Sequence, residues 1–387
     1  AAWRKNLVGR AARYTDWRHN STRDLYASQE KTNVINLDDP TTYQKLDPSG
    51  MFGHIAALPD QVEAGWKLMQ SADLPSAFSR ADKIIVAGMG GSAIGASLLA
   101  SLIAGECRAP LFVARDYTLP AFVNGASCLV IGASYSGETE ETLAAFEQAH
   151  QRGCQLLALT TGGTLALRAK EYGAALVTFN YQSQPRAALG YSFTPLLALL
   201  RRLGFIADKS ADLAEAVAVM RAWQKEIEPS SPVAKNSAKR LAGQMMGRNV
   251  VVWSSGHLAE VARRWKAQIN ENAKGWAAFE VLPEADHNAI CGTLPDEVAA
   301  KTFVLFLTST LDHPRAQLRH AITRQVFLTS GVNTDVVAAR GRSALAQMLS
   351  TIHYGDYVSG YLGLLNEVDP TAIAGIVELK ARLAEAK

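Results

Sequence analysis

Two loops carry the residue types best suited to chemistry. Ser134-Tyr135-Ser136-Gly137-Glu138-Thr139 follows an apolar run and sets three hydroxyls just before a helical stretch. Gly88-Met89-Gly90-Gly91-Ser92-Ala93-Ile94-Gly95 follows another apolar run, and a helix begins inside it. The first backbone N–H groups of a helix are unpaired and lie at the positive end of its dipole, so an anion is favoured there. Gly90, Gly91, Ser92, Ser134, Ser136 and Thr139 together describe a phosphate cup. Helix capping alone accounts for Ser136 and Thr139 but leaves Ser134 and Gly90-Gly91-Ser92 without a purpose. The glycine loop also fits the GxGxxA dinucleotide pattern, with Asp116 standing where a ribose-binding acid is expected. A nicotinamide enzyme, however, has no need of the hydroxyl cluster.

For two loops to converge in this way, they must leave the carboxyl ends of neighbouring strands in a parallel sheet. Apolar runs rich in β-branched residues do alternate with helical stretches, at Lys83 to Ala87, Leu111 to Ala114, Leu129 to Ala133, Leu156 to Leu159 and Leu176 to Phe179. A second series follows at Val250 to Trp253, Ala278 to Leu282, Phe303 to Leu307 and Val332 to Val337. Helices are expected from about Leu258 to Ala273, Arg315 to Thr329 and Ser343 to Asn366. The spacing of Met51, Ile55, Leu58, Val62, Trp66 and Met69 predicts one further helix lying on the first unit. The fold class is therefore α/β, with two tandem domains, each a parallel β-sheet flanked by helices. Pro229-Ser230-Ser231-Pro232 is the strongest break and sets the boundary. The expected division is an N-terminal basic extension over 1–36, a first domain with the phosphate loops over 37–230, and a second over 231–387.

With 387 residues and 48% apolar content, the chain can bury two cores. A formal charge of +3 is too small and too dispersed to indicate nucleic acid. No apolar run reaches the length of a membrane span, about 18 residues or more. Cys107, Cys128, Cys154 and Cys291 form no CxxC pair, so they read as buried thiols of a reducing cytoplasm rather than as zinc ligands or disulfides. The first 36 residues set seven basic side chains against Asp16, Asp24 and Glu30. They fit a solvated helical extension better than an organelle address label, because acidic residues interrupt the basic pattern.

The order and spacing of the two loops resemble the sugar isomerase (SIS) domain, a phosphosugar-binding fold. Within that superfamily, further stretches resemble the bifunctional phosphoglucose/phosphomannose isomerases. They are Leu37-Asp38-Asp39-Pro40 through Leu46-Asp47-Pro48-Ser49-Gly50-Met51, then Pro185 to Ser192, then Ile269-Asn270-Glu271-Asn272-Ala273-Lys274 with Pro283-Glu284-Ala285-Asp286-His287-Asn288. The likeness runs from about residue 37 to the end. It implies aldose-ketose isomerisation of a phosphorylated hexose without metal or cofactor, in a homodimer whose histidine is supplied across the interface. By the same resemblance Glu271 is the base between C1 and C2, His287 opens the ring, and Arg186 steadies the enediolate. Lys380 would lie near the sugar ring, and Thr371 would contact the sugar so that mannose and glucose phosphates are both accepted. Glu271 also falls near the end of its expected helix, where a carboxylate meets the negative end of the dipole at some cost in stability. The chain departs from the family pattern at Ala289-Ile290-Cys291, where an acidic residue is expected after the histidine and asparagine.

Two other classes share the SIS fold. A non-catalytic phosphosugar sensor usually carries a DNA-binding helix-turn-helix, and nothing in this sequence resembles one. A glutamine-dependent amidotransferase would need an amidase domain with a nucleophilic cysteine at its start, whereas this chain begins Ala1-Ala2-Trp3.

Overall fold

The computed structural model describes residues 35–292 and 294–385. Leu37–Lys387 make one compact unit; the expected basic extension lies almost wholly outside the described residues. Among the described residues, three α-helices precede the first strand: α1 (Pro40–Leu46), α2 (Met51–Ala56) and α3 (Leu58–Gln70). Two helices stand where one was expected over 51–69. Pro59 lies in the first turn of α3, where its missing N–H costs nothing, but it cannot continue α2. Asp47 explains part of the motif before α2, since its carboxylate accepts the Met51 N–H at 2.7 Å and the Phe52 N–H at 3.0 Å.

The first sheet is built from β1 (Lys83–Ala87), β2 (Leu111–Ala114), β3 (Cys128–Ser134), β4 (Gln155–Thr160) and β5 (Ala175–Thr178). The helices between them are α4 (Gly90–Ile103), α5 (Glu140–Gln151) and α6 (Gly163–Glu171). All strand pairs are parallel, in the order β2-β1-β3-β4-β5. Every residue of β3 is buried, as its unbroken apolar run requires of a central strand covered on both faces. The strand order reverses at β1, so the loops after β1 and β3 open side by side at the carboxyl edge of the sheet.

Helices α7 (Leu189–Arg202), α8 (Ser210–Ile227) and α9 (Ser237–Met245) lead to the second sheet. It comprises β6 (Asn249–Ser255), β7 (Ala277–Leu282), β8 (Thr302–Thr308) and β9 (Asn333–Ala338), parallel and in the order β7-β6-β8-β9. Its helices are α10 (Ala259–Asn272), α11 (Asp296–Ala300) and α12 (Pro314–Thr329), and α13 (Ala344–Leu365) and α14 (Ala374–Glu385) close the chain. The α/β class with two parallel sheets, each flanked by helices, therefore holds.

Helix α13 is buried along nearly its full length, packing against α8, α9 and α10, and its buried polar residues include Gln347, His353 and Asp356. Helix α14 has no buried residue. The cysteines differ from expectation. Cys128 alone of the four is buried; Cys107 and Cys154 are half-buried and Cys291 is exposed, because it sits on a short turn after β7 rather than in a strand or core helix. Among the described residues no helix is long and apolar enough to cross a membrane.

Candidate active site

The loop after β3 is held by hydroxyls and by close backbone contacts. Ser134, at the strand end and 1% exposed, pairs its Oγ with Thr139 Oγ1 at 3.0 Å and accepts the Gly137 N–H at 3.1 Å. Ser136 is exposed and accepts the Glu138 N–H at 3.2 Å. Thr139 occupies the position before α5, yet its side chain makes no capping bond to that helix, so capping is not what its hydroxyl does. Gly137 has φ 74°, and a Cβ there would meet the Gly162 carbonyl at 2.0 Å, so only glycine fits. Glu138 points away from the cup: its carboxylate accepts the Thr164 N–H at 2.7 Å and the Thr164 hydroxyl at 2.9 Å, capping α6.

The glycine loop joins this one through Ser92, whose Oγ accepts the Tyr135 N–H at 3.1 Å. Ser92, Ser134, Tyr135, Pro185 and Ser192 line a common cavity with Ala133, Leu159, Phe179, Ala188 and Tyr191. Ser136 and Thr139 thus remain the accessible hydroxyls, while Ser134 and Ser92 lie beneath and set the shape of the cup.

Gly91 connects the cup to the charged residues. A Cβ at Gly91 would lie 2.7 Å from the Pro185 carbonyl carbon and 2.8 Å from the Arg186 nitrogen, so the helix start rests directly on the Pro185–Ala187 turn. Arg186 leaves this turn buried, 3% exposed. Its Nε donates to Asn272 Oδ1 at 2.7 Å and its Nη1 to Glu271 Oε2 at 3.3 Å. Its Nη2 donates to the carbonyls of Pro370 at 2.5 Å and Thr371 at 3.1 Å. Burial pushes the guanidinium pKa down, partly offset by the Glu271 carboxylate. The turn is fixed from behind, since Arg264 Nη2 donates to the Arg186 carbonyl at 3.1 Å and to Asp356 Oδ2 at 2.6 Å, and Gln268 donates to Asp356 Oδ1 at 2.9 Å.

Glu271 closes α10. That helix starts at the carboxyl end of β6 and runs back antiparallel to it, which carries its last turn away from the strand ends of its own sheet. The dipole cost expected there is met by cations: Arg186 pairs with the carboxylate, and Lys274 Nζ donates to the Glu271 carbonyl at 2.8 Å. Thr371 lies in the same knot, its N–H bonded to Asp369 Oδ1 at 2.7 Å while its buried Oγ1 has no partner.

The remaining two candidates stand apart from this cluster. His287 is exposed at the end of the Glu284–His287 turn, and Lys380 is exposed on α14. Among the described residues no hydrogen bond or ion pair joins either to Glu271 or Arg186. The departure at Ala289-Ile290-Cys291 forms a short turn directly after His287. Sequence reasoning passed over Asn272 and Lys274, both inside a quoted motif. A lysine just past a helix end, followed by Gly275, was the available signal for Lys274.

Residues 234–383 match the family described as bacterial phospho-glucose isomerase C-terminal SIS domain. The chain is 40% identical over 341 residues to a bifunctional phosphoglucose/phosphomannose isomerase of Caldicellulosiruptor bescii, covering 87% of this chain and all of that one. The chain belongs to this family. The isomerase of the same name from Aquifex aeolicus is 35% identical over 325 residues, covering 83% of this chain and 97% of its own. In fold, the family member matches a glucose-6-phosphate isomerase like protein from Thermus thermophilus with TM-score 0.56 and 20% identity, over 87% of this chain and 98% of that one.

Proposed function

We propose that the chain interconverts glucose 6-phosphate or mannose 6-phosphate with fructose 6-phosphate. The observation that carries this is the path of direct contacts from the glycine loop through Arg186 to Glu271, which sets a carboxylate beside a phosphate cup. Ser136, Thr139 and the N–H groups of Gly90 and Gly91 bind the phosphate, over Ser92 and Ser134. His287 protonates the ring oxygen as the bond from C1 to the ring oxygen breaks, and the C1 hydroxyl gives up its proton to water to become the carbonyl. Glu271 removes the C2 proton of the open aldose; the pair of electrons forms the C1–C2 double bond of a cis-enediolate as the carbonyl electrons move to O1, and the Glu271 carboxyl, open to exchange with water, then delivers a proton to C1 while the hydroxyl proton passes from O2 to O1 to give the ketose. Four N–H groups of Arg186 are committed to protein acceptors among the described residues, which leaves one on Nη1 for the enediolate oxygen. Thr371 and Lys380 contact the sugar.

This reading requires a homodimer in which His287 reaches the partner's site. Its support is the exposure of His287, with no tie to Glu271 in its own chain, and the apolar faces nearby. Leu318, Ile322 and Val326 stand 46%, 53% and 38% exposed at four-residue spacing on α12. Arg315, Arg319 and Thr323 of that helix line a pocket with Asp286 and Ile290, which flank His287. The protein works in the cytoplasm, on phosphorylated hexoses. Coupled assays of the purified protein on both aldose phosphates test the proposal: turnover of both is expected. Binding of fructose 6-phosphate without turnover would favour a phosphosugar sensor instead.

A further inference from the structure

Lys274 caps the end of α10, and its ammonium also reaches beyond that helix. It follows α10 with φ 54°, a left-handed backbone uncommon for a side chain of this size, and Gly275 comes next. Its Nζ donates to three carbonyls: Glu271 at 2.8 Å, Asp369 at 2.6 Å and Pro370 at 3.4 Å. The Pro370 carbonyl also accepts from Arg186. Two cations therefore tie three segments together: the Pro185–Ala187 turn, the last turn of α10, and the 369–371 segment that leads into α14 and so to Lys380. Helix capping accounts for the bond to Glu271, whereas the bonds to Asp369 and Pro370 reach a segment 95 and 96 positions away.

We propose that Lys274 is a positioning residue for the isomerisation, its ammonium holding the 369–371 segment against the end of α10 so that Glu271 and Thr371 face one substrate. The inference rests on the isomerase reading above. The groups facing the ammonium are Arg186 from the turn, Glu271 from α10 and Asp369 from the 369–371 segment. Lys274 stays exposed as a residue, and partial withdrawal of its ammonium from water, with the Arg186 charge added, pushes it down to about 8 against the opposing pull of Asp369 and Glu271. Deprotonation as pH rises through that value removes the charge that grips the three carbonyls. Activity then falls on the alkaline side.

The test compares wild type, Lys274→Met and Lys274→Arg in steady-state kinetics on fructose 6-phosphate from neutral to alkaline pH, with inorganic phosphate as a competitive probe of the cup. Lys274→Met is expected to lose about 10- to 100-fold in kcat, as a misplaced base does, with phosphate inhibition constant within about twofold. Its kcat should also lack the wild-type alkaline fall near pH 8. Lys274→Arg keeps a non-titrating charge and should restore most of kcat while moving that fall to higher pH. An active wild type with Lys274→Met unimpaired, or with Lys274→Arg no better than Lys274→Met, overturns the positioning role alone. A wild type inert on every hexose phosphate overturns the isomerase reading, and the positioning role with it.

Discussion

Replacing Arg186 with methionine tests whether one buried guanidinium both binds the site together and serves the reaction. The side chain is 3% exposed and reaches Asn272, Glu271, Pro370 and Thr371. Methionine fills much of the same volume but leaves these acceptors without their donor. Removing one member of a buried charged cluster costs about 3–5 kcal/mol. The Glu271 side chain is 29% exposed and screened by water, and methionine escapes the guanidinium's own desolvation cost, so the lower end, about 3 kcal/mol, applies. Against a total of about 5–15 kcal/mol the variant still folds. Thermal unfolding followed by circular dichroism should show a drop of several degrees, roughly 2–4 °C per kcal/mol or less for a chain this long. In the same variant kcat should fall about 10²- to 10³-fold, the loss typical of a donor aimed at developing negative charge, compounded by a Glu271 no longer held in place. Arg186→Lys keeps the charge but has three donors in a compact head, and should remain more than about tenfold impaired. A kcat within about threefold of wild type in Arg186→Met, with unchanged unfolding temperature, would refute the reasoning.

Other expectations follow from single contacts. Gly190 lies where α3 and α7 cross, and a Cβ there would stand 2.4 Å from Gln61 Cβ and 2.5 Å from the Gln61 carbonyl carbon. Gly190→Ala should therefore destabilise by about 1–3 kcal/mol in chemical denaturation, with kcat lowered because the adjacent Arg186 turn shifts. His353 is buried, and among the described residues its ring bonds the Ile55 carbonyl alone, with burial pushing its pKa down to about 4. Its folded value lies below the unfolded one, so the unfolded chain binds the extra proton and stability falls as pH drops from about 6.5 through about 4. The contribution is at most on the order of 3 kcal/mol. His257 and His320 act in the same sense, while the raised carboxyls of Asp47 and Asp312 act in the opposite one. Subtracting the pH–stability curve of His353→Leu from that of wild type isolates one proton across this window; a flat difference contradicts it.

The strands were legible because a parallel sheet covered on both faces demands continuous apolar runs, and each expected run falls within one residue or two of an observed strand. The hydroxyl and glycine loops were legible as strand-to-helix connections because small residues follow each apolar run directly before a helical stretch. What spacing could not show were contacts between distant segments. Arg186 meets Asn272 across 86 positions and Pro370 across 184, and no periodicity links them. The purpose of Gly91 was equally hidden, since the turn it packs against lies far along the chain. Lys274 was passed over because two of its three acceptors, the Asp369 and Pro370 carbonyls, lie 95 and 96 positions along the chain. The α2–α3 break was missed because apolar periodicity continued through Pro59, although proline inside a helical pattern should have divided it.

The central claim is that Glu271 moves the proton between C2 and C1. Its most direct test is fructose 6-phosphate in heavy water with wild type and Glu271→Gln, following exchange of the C1 proton by nuclear magnetic resonance and substrate affinity by calorimetry. The account predicts that Glu271→Gln binds fructose 6-phosphate within a few-fold of wild type, while both exchange and isomerisation fall by about 10²- to 10⁴-fold. Exchange in Glu271→Gln at close to the wild-type rate would contradict it, and the base would have to be another group.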